Sequence, residues 1–242
     1  MLNQFSRTEL LLTEEGFKKL SSAKVAVFGL GGVGGHCAEA LIRSGIKNLH
    51  LIDNDVVSIT DLNRQIIALK TTIGRQKTVV AKERFLDINE EAKIVTYNIF
   101  YDDKTANDID LTDFDYVVDA IDTVASKITL ITKCKELNVP IISCMGAGNK
   151  LNPTKFEVED IFKTSVCPLA KKIRKLLKEK GITSLKVVYS KEEANSNFKS
   201  SFKETKHSGR HVVGSNAFVP SVAGLIIASE VIKDIAFNYK KL

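Results

Sequence analysis

The chain contains no tryptophan, four prolines and four cysteines. It has no apolar run approaching the roughly 20 residues that a membrane-spanning helix needs. Its most apolar stretch, 217–232, is interrupted by Ser221, Ser229 and Glu230 and reads as a buried helix opened by Pro220, so no stable membrane span is expected. The opening residues, Met1 to Arg7, hold no apolar segment of the kind a secretory leader requires. Cys37, Cys134, Cys144 and Cys167 form no C-x-x-C pair, which excludes a cysteine-rich zinc module. Buried, reduced thiols in a cytoplasmic protein are the expectation. His207 and His211 have one zinc-like spacing but stand in a polar segment without a cysteine pair, and read as solvated loop.

What is present describes an ordinary globular protein: 242 residues, 44% hydrophobic and 26% charged. The net charge of +6 is unevenly placed. Residues 168–206 carry eleven Lys and Arg against four Glu, a net +7, so the whole positive excess sits in one segment. That pattern suits a local anionic partner, or a solvated helix face.

Hydrophobic periodicity predicts helices over 8–20, 37–43, 76–89, 125–137, 169–180 and 223–237. Short runs rich in apolar residues predict strands at 24–28, 48–52, 93–98, 114–118, 139–144 and 184–189, and alternation of apolar and polar residues predicts a half-exposed strand at 155–160. Gly45 suits a helix C-cap, and residues 192–215, poor in aliphatics, read as a long loop. Strands alternating with helices predict an α/β fold: a Rossmann-like, mostly parallel sheet with helices on both faces. The division expected is a nucleotide-binding core over 1–160 and an antiparallel and helical extension of the same domain over 161–242.

The chemistry concentrates in the first half. Gly29-Leu-Gly31-Gly32-Val-Gly34 follows a strand and opens a helix, where small residues let backbone N–H groups approach a phosphate. Asp53, nineteen residues past Gly34 at the end of the second strand, can accept hydrogen bonds from ribose hydroxyls. These two features alone fit NAD as well as ATP. Arg64 and Lys77 follow closely and would meet the charge on a departing pyrophosphate, a need that a dehydrogenase lacks. Either one alone would read as an ordinary loop cation. Asp119-Ala-Ile-Asp122 closes the fourth strand at the ligand-binding edge of such sheets. Asp122 is the candidate magnesium ligand with Asp119 in support, and Asp122 equally suits a helix N-cap.

This set, with Leu51-Ile-Asp53-x-Asp55, Asn63-Arg64-Gln65 and Gly74-x-x-Lys77, resembles the ubiquitin-activating-enzyme-like superfamily over roughly the first 160 residues. The resemblance implies ATP and Mg2+ bound by Gly29, Gly31, Gly32, Gly34, Asp53, Asp55, Asn63, Arg64, Gln65, Lys77, Asp119 and Asp122. It implies catalytic roles for Arg64, Lys77, Asp122 and Arg7, the last acting across a homodimer. Asn63 to Leu69, Ser143 to Gly148, Asn152 to Thr154 and Ser215 to Gly224 resemble a tRNA-modifying branch of that superfamily. That branch implies adenylation of the threonyl carboxylate on a modified tRNA adenosine, then ring closure with loss of water. A monovalent cation and a sulfur-transfer or carrier-protein partner are further candidates. Lys171, Lys172, Arg174 and Lys175 are the candidate tRNA contacts. Two rival readings are an adenylyltransferase for a ubiquitin-like carrier protein and a non-catalytic NAD-binding module.

Overall fold

A computed structural model describes residues 2–193 and 213–238. Most of the expected loop, with His207 and His211, lies outside the described residues. Seven strands form one sheet: β1 (Lys24–Phe28), β2 (Asn48–Ile52), β3 (Lys93–Tyr97), β4 (Tyr116–Asp119), β5 (Ile141–Cys144), β6 (Phe156–Asp160) and β7 (Lys186–Ser190). Their order is β3-β2-β1-β4-β5-β7-β6. All neighbours are parallel except β6, which runs antiparallel to β7 at the edge. The sheet therefore continues past residue 160, because β7 pairs directly with β5.

Strand alternation divides the core. Val25 and Val27 of β1 point to one face, and Ala26 and Phe28 to the other. The first face is covered by α1 (Ser6–Ser22), α2 (Gly34–Ser44), α3 (Lys77–Ile88) and α6 (Val219–Phe237). The second is covered by α4 (Val124–Glu136) and α5 (Pro168–Glu179). The central strands β1, β4 and β5 are buried on both faces and read as continuous apolar runs, whereas β2, β3 and β6, toward the edges, are only partly buried.

The helices mostly obey their local signals. Gly45 ends α2 in the left-handed conformation, φ 109°, and its N–H returns to Leu41 and Ile42. α5 starts on Pro168 at its first turn, buries Ala170, Ile173 and Leu177 and leaves its lysines outward. α6 begins four residues before the periodicity suggests, because Pro220 opens it and Val219 is already buried. Its buried Val219, Ile227 and Val231 stabilise the fold by about 1.5–3 kcal/mol each. α1 runs two residues further at each end than expected and is broken at Thr13, φ 63°.

Candidate nucleotide-binding site

The chain leaves β1 and must return on opposite sides of it, to β2 and to β4. A crevice at the carboxyl ends of β1 and β4 follows from that reversal, and it is where open α/β sheets bind ligands. The glycine loop fills this position. A Cβ on Gly34 would lie 1.8 Å from the Gly29 carbonyl oxygen and 3.1 Å from Ala120 Cβ. Gly29 itself has φ 91°, and a Cβ there would lie 2.7 Å from the Ala120 carbonyl oxygen. The loop is thus pressed onto the end of β4 so closely that no side chain fits between. At Gly31, by contrast, an added Cβ meets nothing within 4 Å, so this part of the loop faces open space.

Asp53 ties the loop to β2. One of its carboxylate oxygens accepts the Leu30 N–H at 2.6 Å and the other the Asp55 N–H at 2.8 Å. Burial pushes the Asp53 carboxyl above the ordinary aspartate range, against the pull of Lys77 and of the two N–H groups. Lys77 opens α3, its side chain is 5% exposed, and its Nζ lies 2.8 Å from Asp55 Oδ2. Burial opposes its charge, but Asp53 and Asp55 outweigh that and hold the ammonium above the usual lysine range. A charged lysine is therefore held beneath the end of β2, and is not turned into solvent.

Asn63, Arg64 and Gln65 follow a short 3-10 turn, 59–61, whose Asp61 organises them. Asp61 Oδ1 accepts from Gln65 Nε2 at 2.7 Å and from Arg64 Nη2 at 3.3 Å. Arg64 Nη1 donates to the Thr60 carbonyl and to Asn63 Oδ1. The Arg64 Cγ would be 3.2 Å from a Cβ on Gly32, so the stem of this arginine lies along the glycine loop. Asn63 Nδ2 donates to the Ser215 carbonyl at 3.0 Å, bringing the segment before α6 to the same place. Asn149 receives that segment too: its N–H donates to the Gly214 carbonyl and its Oδ1 accepts the Gly214 N–H. Pro220 completes the wall, 3.2 Å from the added Cβ of Gly32, and the Val33 carbonyl oxygen would lie 2.3 Å from a Cβ on Gly224 in α6.

Asp122 is exposed at the turn between β4 and α4 and accepts a hydrogen bond from the Thr123 hydroxyl. Asp119 is placed differently. It is fully buried, with Oδ2 bound by Lys127 Nζ at 2.9 Å and by Ser143 Oγ at 2.5 Å, so it faces inward. The sequence did not single out Lys127, and it offered Ser143 only as the head of the Ser143 to Gly148 motif, without a role. A signal existed for Lys127, which occupies the spacing of Leu130, Ile131 and Cys134, an apolar stripe where a lysine needs an internal partner.

Arg7 is exposed in the first turns of α1, near Leu10 and Leu11, which are 87% and 80% exposed. Lys171, Lys172 and Lys175 are exposed on α5. Arg174 is half-buried, and its Nη1 donates to the Ile161 and Thr164 carbonyls and to Thr164 Oγ1, so it secures the loop before α5. The four cysteines are all buried. Burial pushes the Cys134 and Cys144 thiols up to about 12, which suits packing and not nucleophilic work. Among the described residues, no group of three or more His, Cys, Asp or Glu is arranged to hold a metal ion by protein ligands alone, and no helix is long and apolar enough to cross a membrane.

A doubly wound sheet with a glycine loop at its switch point, and two cations anchored beside that loop by carboxylates, defines a nucleotide-binding α/β protein equipped to handle phosphate charge. The chain belongs to the ThiF family, whose model matches residues 5–240. It is 42% identical over 242 residues to the tRNA threonylcarbamoyladenosine dehydratase of Bacillus subtilis, covering 97% of this chain and 95% of that one. It is 38% identical over 175 residues to the Escherichia coli protein of the same name, covering 72% and 65%. The solved E. coli structure of that enzyme, TcdA, in complex with ATP superposes with a TM-score of 0.85 at 31% identity, covering 97% of this chain and 94% of that chain. The complex with AMP superposes at 0.86 over the same shares.

Proposed function

We propose that this chain is an ATP-dependent enzyme that dehydrates and cyclises threonylcarbamoyladenosine in tRNA. The observation that carries the reading is the charged Lys77, buried against Asp55 and Asp53 at the edge of a glycine-loop cleft, with Arg64 lying along the same loop. A nicotinamide site has no use for that pair. The likeness to the tRNA-modifying relatives in B. subtilis and E. coli, and to the ATP and AMP complexes of the latter, supports the substrate.

The residues divide the work. The N–H groups at the open end of the glycine loop and the start of α2 receive the phosphates. Asp53, with lone pairs beyond its two N–H bonds, meets the ribose. Arg64 and Lys77 are already neutralised by Asp61 and Asp55, so a triphosphate must draw them from those partners. That exchange is least costly in the transition state, where phosphate charge is greatest. The cleft fits a magnesium ion held through phosphates and one carboxylate, since Asp122 is the exposed acid at the turn. Bound there, the ion would offset charge on the triphosphate oxygens.

The threonyl carboxylate oxygen attacks the α-phosphorus and pyrophosphate leaves, forming an acyl adenylate. The carbamoyl group of the same nucleoside then attacks the activated carbonyl. AMP departs with the former carboxylate oxygen and the carbamoyl group gives up a proton to solvent, so that, relative to its acid form, the nucleoside loses the elements of water. No thiol is needed for closure within one substrate, which fits four buried cysteines. We assign Arg7 to the neighbouring site of a homodimer, since it is exposed beside bare leucines on α1, and Lys171, Lys172 and Lys175 to the tRNA backbone.

The decisive experiment incubates the chain with ATP, magnesium and tRNA bearing the uncyclised nucleoside, and measures nucleoside mass. Loss of one water, with AMP released, is the expected result. Pyrophosphate exchange that needs a small carrier protein instead of tRNA would replace this reading, and so would preference for NAD over ATP.

A further inference from the structure

We infer that Lys127 is a positioning residue for adenylation, acting through a buried Asp119 to fix the turn that carries Asp122. The inference rests on the proposed role of Asp122 at the phosphates. Lys127, Asp119 and Ser143 come from α4, β4 and β5, and each is at most 1% exposed. Asp119 Oδ2 accepts from both Lys127 and Ser143, and Lys127 Nζ also donates to Ser143 Oγ at 3.2 Å. The other carboxylate oxygen, Oδ1, accepts the Ile121 N–H at 3.2 Å. One face of Asp119 is thus locked inside the protein while the other holds the backbone one residue from Asp122.

The same turn is the floor of the glycine loop. The Ala120 N–H donates to the Phe28 carbonyl at 2.9 Å, and Ala120 stands against Gly29 and Gly34. A shift of this turn would move the magnesium carboxylate and the phosphate loop together. A buried ion pair adds little net stability over apolar packing of the same volume. This one joins three elements immediately below the crevice, and its product is a fixed backbone at the place where a carboxylate must be held. Lys127 cannot touch a ligand itself, because it is enclosed; its effect passes through Asp119.

The test compares Ser143→Ala, Lys127→Met and Asp122→Asn with Ile94→Ala, a buried β3 change remote from the crevice. Each full-length protein is assayed for ATP–pyrophosphate exchange with the modified tRNA, well below its own unfolding temperature. The readouts are kcat, KM for ATP and the magnesium concentration giving half-maximal rate. Ser143→Ala is expected to lower kcat about tenfold and raise the half-maximal magnesium concentration severalfold, with Lys127→Met worse on both. Ile94→Ala is expected to lower the unfolding temperature and leave both kinetic readouts alone. If Lys127→Met does not fold, Ser143→Ala decides alone. Wild-type kcat and magnesium response in the Ser143 and Lys127 variants, beside an inactive Asp122→Asn, would overturn the positioning role only. Wild-type behaviour of Asp122→Asn would instead overturn the site reading on which it rests.

Discussion

Replacing Gly34 with alanine tests the closest contact in the crevice. The new methyl would start 1.8 Å from the Gly29 carbonyl oxygen, where ordinary contact begins at 3.4 Å. The two strands of the loop would have to separate by about 1.6 Å, and Ala120, 3.1 Å away on the other side, blocks the easy direction. Both obstacles are packed against the ends of β1 and β4, and neither is a flexible side chain. Overpacking typically costs about 1–3 kcal/mol, and a clash this deep with backbone belongs at the upper end, about 3 kcal/mol. For a protein of this size that lowers the melting temperature by about 6–12 °C. Gly31→Ala is the matched control, because its methyl meets no protein atom within 4 Å. It should melt within about 2 °C of wild type yet bind ATP at least tenfold more weakly, a loss of about 1.4 kcal/mol, by occupying the space assigned to a phosphate. Calorimetric melting and ATP titration read both quantities. A Gly34→Ala protein with an unaltered melting temperature would refute the packing argument, and a Gly31→Ala protein with full ATP affinity would refute the placement of the phosphates.

Three further outcomes are expected. Glu39 of α2 is buried and clamped by Arg84 and Arg43; burial pushes its carboxyl up, but the two guanidiniums more than reverse this and leave it below the ordinary 4.5. Its contribution is therefore complete above pH about 4.5 and is lost as pH falls through the lower folded value. Glu39→Gln should cost about 2 kcal/mol in urea unfolding at pH 7 and converge on wild type in acid; an equal deficit at both pH values would count against it. Arg7→Ala and Asp122→Ala chains, each inactive alone, should regain activity when mixed, since one hybrid site would be intact; no recovery at any mixing ratio would exclude action across a dimer. Changing Lys171, Lys172 and Lys175 together to alanine should flatten the salt dependence of tRNA binding by a log–log slope of about 2–3. Arg174→Ala should lower stability and leave that slope unchanged, and the reverse pattern would move the RNA surface elsewhere.

Much of this architecture is readable in one dimension. Strand-then-glycine-then-helix around Gly29 to Gly34, and the apolar runs of β1, β2 and β4, are local signals, and they place the crevice without long-range information. Boundaries erred where a local signal met a tertiary demand: α2 starts at Gly34 because the loop is pressed onto β4, whereas at α6 the local Pro220 signal marked the start and the apolar periodicity alone placed it late. The insertion of β7 between β5 and β6 depends on pairing between residues far apart, which no periodicity encodes. Charge partners were the least legible. Arg64 and Lys77 stand out as cations, but their anchoring to Asp61 and Asp55 emerges only when a 3-10 turn and the start of α3 meet the end of β2. Asp119 looked like a companion to Asp122, yet a strand's alternating faces turn one inward while the following turn exposes the other.

The contact of α6 with the phosphate loop has a consequence for biosynthesis. Pro220 and Gly224 back the loop at Gly32 and Val33, although the ribosome makes them long after the loop itself. A nascent chain whose α6 is still inside the exit tunnel has its early strands available for pairing, as N-terminal segments usually do first. Its nucleotide cleft nevertheless lacks a back wall. Competence to hold ATP therefore waits for the synthesis of α6, and a product terminated before it keeps the contacts of the glycine loop with Asp53, Arg64 and Ala120 but lacks the wall made by Pro220 and Gly224.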